Sequence, residues 1–157
     1  MRGIMTSDAL VDALVRSTFQ VAGVLTRIGA RHDLSFTQLR VLGLLRDRRP
    51  RMTELARFLG LDKSTMSGLI DRAERRGLVV RDRNPEDRRA VDVVITPAGR
   101  ELAEQVYDEI RSALEPVTDR LGPEHHDRLA ELLDAAHGFA GLPPDGPEVR
   151  GPRRASS

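Results

Sequence analysis

The residues LDKSTMSGLIDRAERRGLVVRDRNPEDRRAVDVVITPAG, Leu61–Gly99, contain two local patterns in succession. Asp62 is a good N-cap residue and Gly77 is a residue type that commonly follows the end of a helix, so a helix is predicted between them. Two runs rich in β-branched residues follow, at 79–80 and 91–95, with turn residues between them. These runs predict a short β-hairpin. The apolar stripe of the preceding helix consists of Met66, Leu69, Ile70 and Ala73.

The other face of this helix carries short hydroxyl side chains and a glycine, where a solvated face usually carries long, flexible charged side chains. Small side chains leave room for another molecule to approach the helix backbone closely. The pattern therefore predicts a contact surface in the first half of the helix. Its members recur with helical spacing and are Ser64, Ser67, Gly68, Asp71 and Arg72, with Arg75 at the end.

A short helix is predicted immediately before this stretch, in the segment ELARFLG. Thr53 is expected to cap it, and Gly60 is expected to end it because glycine easily takes the left-handed conformation of a sharp turn between helices. Residues 52–70 therefore fit a helix-turn-helix motif, whose second helix contacts DNA. Two packed helices that bind no ligand are the alternative interpretation of the same spacing.

Two further helices are predicted before the motif. Ser7 can cap the first, which runs to about Arg31. Ser35 followed by Gln38 forms a capping-box pattern that begins the second helix, which continues through Arg46.

The part of the chain after the hairpin is also predicted to be helical. Thr96 as the cap and Pro97 as the first helical residue begin a long helix, in which Pro116 should introduce a kink. At about 25 residues this helix would be about 37 Å long, which is more than a compact small domain needs. Gly122 and Pro123 begin a last helix. Residues 142–157, rich in Pro, Gly and Arg, are predicted to be disordered.

Charge is distributed unevenly along the chain. Residues 46–100 hold 14 basic and 9 acidic residues, a net charge of +5, whereas residues 101–142 hold 3 basic and 10 acidic residues, a net charge of −7. Such asymmetry is expected when the middle of a chain faces a polyanion. Chance patterning of solvated faces is the alternative explanation.

Length and composition exclude several classes of function. A chain of 157 residues is long enough for one domain with a hydrophobic core. The absence of cysteine excludes disulfides, cysteine-ligated metals and thiol-based redox sensing within the chain. No apolar run approaches the roughly 18 residues of a membrane span and the start lacks signal-peptide features, so a cytoplasmic protein without a membrane partner is predicted. Neither a metal site nor a cofactor is expected, and no nucleophile–base pair suggests an enzyme.

The span from Thr53 to Gly99 resembles the MarR family of winged helix-turn-helix regulators. The flanking helices agree with the family as well, so the resemblance covers about residues 7–140. It implies a mainly α, dimeric fold with about six helices and a short β-hairpin, called the wing. The family's wing signature, Asp-x-Arg, five residues, then Leu or Ile and Thr, stands here as Asp87, Arg89, Ile95 and Thr96.

The resemblance divides the chain into four parts. Residues 7–34 would form an N-terminal dimerisation helix, residues 35–96 the winged helix-turn-helix DNA-binding lobe, residues 97–141 the C-terminal dimerisation helices and residues 142–157 a disordered tail. In the family the outer helices interlock into a two-fold dimer. Two recognition helices about 34 Å apart, one turn of DNA, then read a pseudo-palindrome.

The resemblance also implies roles for individual residues of the wing. Arg89 would enter the minor groove, with Arg88 as its neighbour, because a narrow A·T-rich groove has an enhanced negative potential that attracts a guanidinium. Asp87 is expected to fix the direction of an arginine by a bidentate pair. At the base of the hairpin, Arg81 and Arg83 could contact DNA or pair with an acid, either Asp71 or Asp82.

The recognition helix is predicted to be Lys63–Arg76, with its N-terminal half in the major groove. Gly68 departs from the family, because many members carry a base-reading side chain at this position, so direct readout is expected to be sparse. The expected base contacts are Ser64, Thr65 and Ser67. Lys63, Arg72 and Arg75 are expected to contact phosphates, and Thr53 offers one more phosphate contact at the start of its helix.

The sequence thus predicts a sequence-specific DNA-binding transcriptional regulator, a repressor, that acts as a homodimer on double-stranded DNA. The alternative is a winged-helix module for protein interaction or small-molecule binding without specific DNA binding. Members of the family are often switched by small ligands, commonly aromatic or phenolic anions. A small aromatic or anionic effector is therefore a further expected partner, with a pocket lined by Arg16, Phe19 and Phe36.

Overall fold

The computed structural model describes the backbone of residues 2–137 and the side chains of residues 8–136. Within these residues the chain forms six α-helices and one two-stranded antiparallel hairpin, as predicted. The predicted disordered tail, residues 142–157, lies outside the described residues. The helices are α1 Arg2–Arg31, α2 Phe36–Leu45, α3 Met52–Leu59, α4 Lys63–Arg75, α5 Pro97–Thr118 and α6 Pro123–His137, the strands are β1 Val79–Arg83 and β2 Val91–Ile95, and a 3-10 turn spans Asp119–Leu121.

Three predicted helix caps are present. Gln38 N donates to Ser35 Oγ at 3.2 Å, and Ser35 N donates back to the Gln38 side chain at 2.8 Å, which completes the capping box of α2. Thr65 N donates to the Asp62 carboxylate at the start of α4, and Gly99 N donates to Thr96 Oγ1 at the start of α5. These helix starts were predictable because the accepting side chain of each cap and the backbone N that donates to it lie three residues apart.

Two predicted helix starts were wrong. Helix α1 begins at Arg2 and not after Ser7, so position 7 lies inside the helix. Helix α3 is preceded by Arg51 as its N-cap, so Thr53 lies inside the first turn. The Glu54 carboxylate accepts a hydrogen bond from the backbone N of this N-cap residue, Arg51, at 3.1 Å.

The core lies where the C-terminal part of α1 meets α2, α4, the base of the hairpin and the start of α5. The predicted apolar stripe of α4 is buried, with Met66 and Ile70 fully enclosed. Gly99 is required where α5 crosses the end of the α4–β1 connection, since a Cβ atom at this position would lie 2.0 Å from Leu78 O. The hairpin pairs Val79 with Ile95 and Arg83 with Val91.

The outer helices leave apolar surface uncovered. The side chain of Phe19 on α1 is 75% exposed, and no residue of 123–136 on α6 is buried. The main contacts of α6 are with the 3-10 turn that precedes it. The exposed apolar residues of the outer helices include Leu10, Val11, Val15, Leu129, Leu132 and Leu133.

Helix α1 also corrects one prediction. Among the described residues, the segment Asp8–Arg31 is long and apolar enough, by length and composition alone, to cross a membrane, with a mean hydropathy of 1.2 over its most apolar window. The sequence suggested no such run because Arg16 and Arg27 interrupt it. One such helix is weak evidence for a membrane span, and a helix that packs against protein passes the same test.

Candidate nucleic-acid interface

The start of the predicted recognition helix is fixed by Asp62. Its carboxylate accepts hydrogen bonds at 2.8 Å from both the backbone N and the Oγ1 of Thr65. These two bonds hold the pKa of Asp62 below its ordinary value. Because the carboxylate occupies the N-terminus of α4, a DNA phosphate is disfavoured there. The Thr65 hydroxyl already donates its proton to Asp62.

The exposed face of α4 carries the small side chains that the sequence predicted. Ser64 and Thr65 are exposed, while Ser67 and Gly68 are half-buried. A Cβ atom at Gly68 would contact only the Arg72 Nη1, at 3.7 Å. Packing therefore does not require glycine at this position, and the bare surface remains open to another molecule. The predicted phosphate contacts Lys63, Arg72 and Arg75 lie on the same helix and are all exposed.

Arg81 joins the first strand of the wing to α4. Its guanidinium contacts the carboxylates of Asp71, at 2.7 Å, and Glu74. The same group lies 3.3 Å from the carbonyl and the hydroxyl of Ser67. Burial lowers the pKa of Arg81, but the two carboxylates outweigh burial and raise it overall. Of the two alternatives left open by the sequence, Arg81 thus pairs with an acid, Asp71, and fixes the wing against the helix.

The wing contains, next to its turn, a cluster that the sequence did not reveal. Asp92 is 1% exposed, and its carboxylate accepts hydrogen bonds from Arg49 Nε at 2.8 Å and from Asn84 Nδ2 at 2.9 Å. Arg49 Nη2 also contacts Asp82 at 2.8 Å. The hydrogen bond to Asp92 raises the pKa of Arg49. The segment before α3 runs beside β2, since Val93 N donates to Pro50 O at 2.9 Å.

The tip of the wing is an ordered turn. Asn84 Oδ1 accepts hydrogen bonds from the backbone N of Glu86, at 2.9 Å, and of Asp87, at 3.0 Å. Asp87 Oδ1 in turn accepts one from Arg89 N at 3.0 Å. The expected bidentate pair between Asp87 and an arginine side chain was wrong: Asp87 Oδ1 accepts from the Arg89 backbone, and Asp87 Oδ2 makes only a single, long contact of 3.9 Å with Arg51 Nη1. The side chains of Arg88 and Arg89 are exposed.

The remaining predicted site residues lie on other surfaces. Thr53 is exposed in the first turn of α3. Arg16 and Phe19 are exposed on α1, and Phe36 is 47% exposed at the first position of α2. The single chain leaves all three residues of the predicted effector pocket open to solvent.

The chain is similar to known transcriptional regulators over most of its length. Residues 32–90 match the profile of the MarR family. The HTH-type transcriptional regulator YfiV of Bacillus subtilis (strain 168) is 31% identical over 102 residues, which span 64% of this chain and 64% of YfiV. The HTH-type regulator YkoM of the same organism is 30% identical over 111 residues, which span 70% of this chain and 72% of YkoM.

Solved structures agree with these matches. The transcriptional repressor CouR, bound to a 23-mer DNA duplex, has a TM-score of 0.69 at 29% identity and covers 84% of this chain and 94% of its own. CouR from Rhodococcus jostii RHA1 bound to p-coumaroyl-CoA has a TM-score of 0.70 at 26% identity, with coverages of 83% and 92%. With the helix-turn-helix, the wing and the flanking helices all in place, the chain belongs to the MarR family of transcriptional regulators.

Proposed function

We propose that the chain is a sequence-specific DNA-binding repressor that acts as a homodimer on a pseudo-palindromic operator. One observation carries the proposal: Ser64 and Thr65 at the start of α4 and the arginine tip of the wing are exposed, and Arg81 ties the two elements together through Asp71 and Glu74. A helix and a hairpin held in a fixed relation can enter adjacent grooves of one duplex. The CouR complex with DNA supports the same assignment.

The residues of the interface divide by role. Ser64, Thr65 and Ser67 lie on the part of α4 that would face base edges in the major groove, while Arg89 would enter the minor groove beside Arg88. Because the Thr65 hydroxyl donates to Asp62, its oxygen is free to act as an acceptor but not as a donor. The side chains proposed to contact phosphates are Thr53, Lys63, Arg72 and Arg75, which contribute affinity but no sequence information.

The proposal requires a dimer. Helix α6 has no buried residue between 123 and 136, although Leu132 and Leu133 are 50% and 40% exposed. Exposed apolar stripes of this kind mark surfaces for protein contact. We assign residues 7–34 and 97–141 to dimerisation and residues 35–96 to DNA binding. Two-fold symmetry then sets two copies of α4 about one DNA turn apart.

We further propose a cytoplasmic regulator without catalytic activity whose DNA binding responds to a small aromatic or anionic effector. The complex of CouR with p-coumaroyl-CoA supports an effector of this class. Arg16, Phe19 and Phe36 are exposed in the single chain and would be covered only when a second chain or a ligand packs against them.

DNA titrations at two salt concentrations test the proposal. The full chain should prefer one palindromic sequence over random duplex by about 10³-fold or more. Six phosphate contacts would reduce its affinity by about 10³-fold between 50 and 200 mM salt, because each neutralised phosphate releases counterions. Arg89→Ala should weaken operator binding by about 1–3 kcal/mol, whereas Arg111→Ala on the acidic helix α5 should not. A winged-helix module that binds DNA only non-specifically would show the salt dependence without the preference, and one that does not bind DNA would show neither.

A further inference from the structure

The turn of the wing is connected to a buried carboxylate on the adjoining strand β2. Among the side chains of residues 8–136, Asp92 is the charged group that is buried, and it is 1% exposed. Both of its oxygens are used, Oδ2 by Arg49 and Oδ1 by Asn84. A buried carboxylate is costly unless it is fully hydrogen-bonded, so the position of Asn84 is strongly constrained.

Stability of the hairpin alone does not explain this arrangement. Asp92 lies directly opposite Asp82 in the register of the two strands, and like charges at opposite positions of a sheet are destabilising. Arg49 must bridge both carboxylates, at 2.8 Å each, to offset the repulsion. Replacing a buried ion pair by apolar side chains is often neutral or stabilising. Fold stability is therefore not a sufficient reason for this arrangement.

The hydrogen bonds of the turn indicate what the cluster does. Asn84 holds Asp92 through its amide nitrogen, and through its amide oxygen it accepts from the backbone N of Glu86 and Asp87. Asp87 then accepts from Arg89 N. An uninterrupted series of hydrogen bonds thus leads from the buried carboxylate to the backbone of the exposed arginine at the tip.

We propose that Asn84, anchored by Asp92, is a positioning residue that fixes the backbone of Arg89 before DNA arrives. The inference rests on the proposed function, in which Arg89 enters a minor groove. Ordering a flexible turn during binding would cost affinity, and a turn that is already ordered avoids that cost. Neither Asn84 nor Asp92 needs to contact DNA for this effect.

A double-mutant cycle tests the proposal with the full chain and its operator duplex. Asn84→Ala alone should weaken operator binding by about 2- to 13-fold, the range for one ordered side chain or turn residue. In the Arg89→Ala background the same change should have no further effect, because the guanidinium that Asn84 positions is gone. The paired control is Asn84→Ala combined with Arg72→Ala on α4, whose effects should multiply.

A second variant removes the anchor and leaves Asn84 in place. Asp92→Val puts a β-branched side chain at a buried strand position, and Arg49 keeps Asp82 as its partner. It should weaken operator binding as Asn84→Ala does, again only when Arg89 is present. Thermal unfolding of each variant identifies any that fails to fold.

The outcomes separate the two levels of inference. If Arg89→Ala leaves operator affinity unchanged, the wing has no role in DNA binding and both the proposed contact and its positioning are overturned. A second result would overturn only the positioning role. In that result Arg89→Ala weakens binding, but Asn84→Ala and Asp92→Val lower affinity by the same factor whether residue 89 is arginine or alanine. If Asn84→Ala lowers operator affinity in the wild-type chain but not in the Arg89→Ala background, the positioning role is supported.

Discussion

Gly68 and Gly99 are both helical glycines, but the structure requires only one of them. A Cβ atom at Gly99 would lie 2.0 Å from the Leu78 carbonyl oxygen, whereas one at Gly68 would meet nothing closer than Arg72 Nη1 at 3.7 Å. Glycine inside a helix costs about 0.5–1 kcal/mol relative to alanine. The chain bears that cost at Gly68 without a packing reason, which is consistent with a surface that DNA approaches closely.

Matched alanine substitutions distinguish these two glycines. Gly68→Ala should raise the free energy of unfolding by about 0.5–1 kcal/mol, because helix propensity improves and no clash appears. Gly99→Ala should lower it by about 1–3 kcal/mol or more, because α5 must shift away from Leu78. Denaturant unfolding of both variants measures the difference. A destabilised Gly68→Ala protein would show that the α4 face is packed and not open.

At the scale of the elements, the sequence predicted most of the features that depend on residues close together in the chain. The caps of α2, α4 and α5 were correct because each depends on residues three positions apart. The cluster around the buried Asp92 was missed because Arg49 and Asp92 are 43 residues apart, and no local pattern signals such a pair. The run RDRRPR at residues 46–51 was the available signal, but it was counted only toward the net positive charge of residues 46–100.

The connection between α4 and the wing is the element-scale feature on which the interface depends. Arg81→Met keeps the aliphatic stem but leaves Asp71 and Glu74 without their shared cation. We expect the free energy of unfolding to fall by about 1–2 kcal/mol and operator affinity to fall as well, since helix and wing would no longer hold a fixed relation. In denaturant unfolding, the control Arg83→Met, an exposed residue at the end of the same strand, should change stability by less than about 0.5 kcal/mol. Equal stability of the two variants would contradict the bridging role of Arg81.

At the scale of the whole molecule, the exposed apolar surface is concentrated on the outer helices. Residues 35–96 contribute most of a well-buried core, whereas α6 and residues 8–19 of α1 expose apolar side chains. The sequence predicted the helices of these regions but could not predict their burial, because a stripe at helical spacing fits a chain's own core and a partner's surface equally well. We expect the acidic charge of residues 101–142 to be repelled by DNA and the basic charge of residues 46–100 to attract it.

Footprinting of an operator by hydroxyl radicals and base methylation measures the geometry of the complex most directly. The full chain should protect two major-groove segments about one helical turn apart, each flanked by a protected minor groove on its outer side. Leu132→Asp on the apolar stripe of α6 should abolish the paired pattern by separating the subunits, whereas Ala130→Asp, roughly on the opposite face of that helix, should preserve it. A single protected segment with the unmodified chain, or a paired pattern that survives Leu132→Asp, would contradict a dimer that holds adjacent grooves with α4 and the wing.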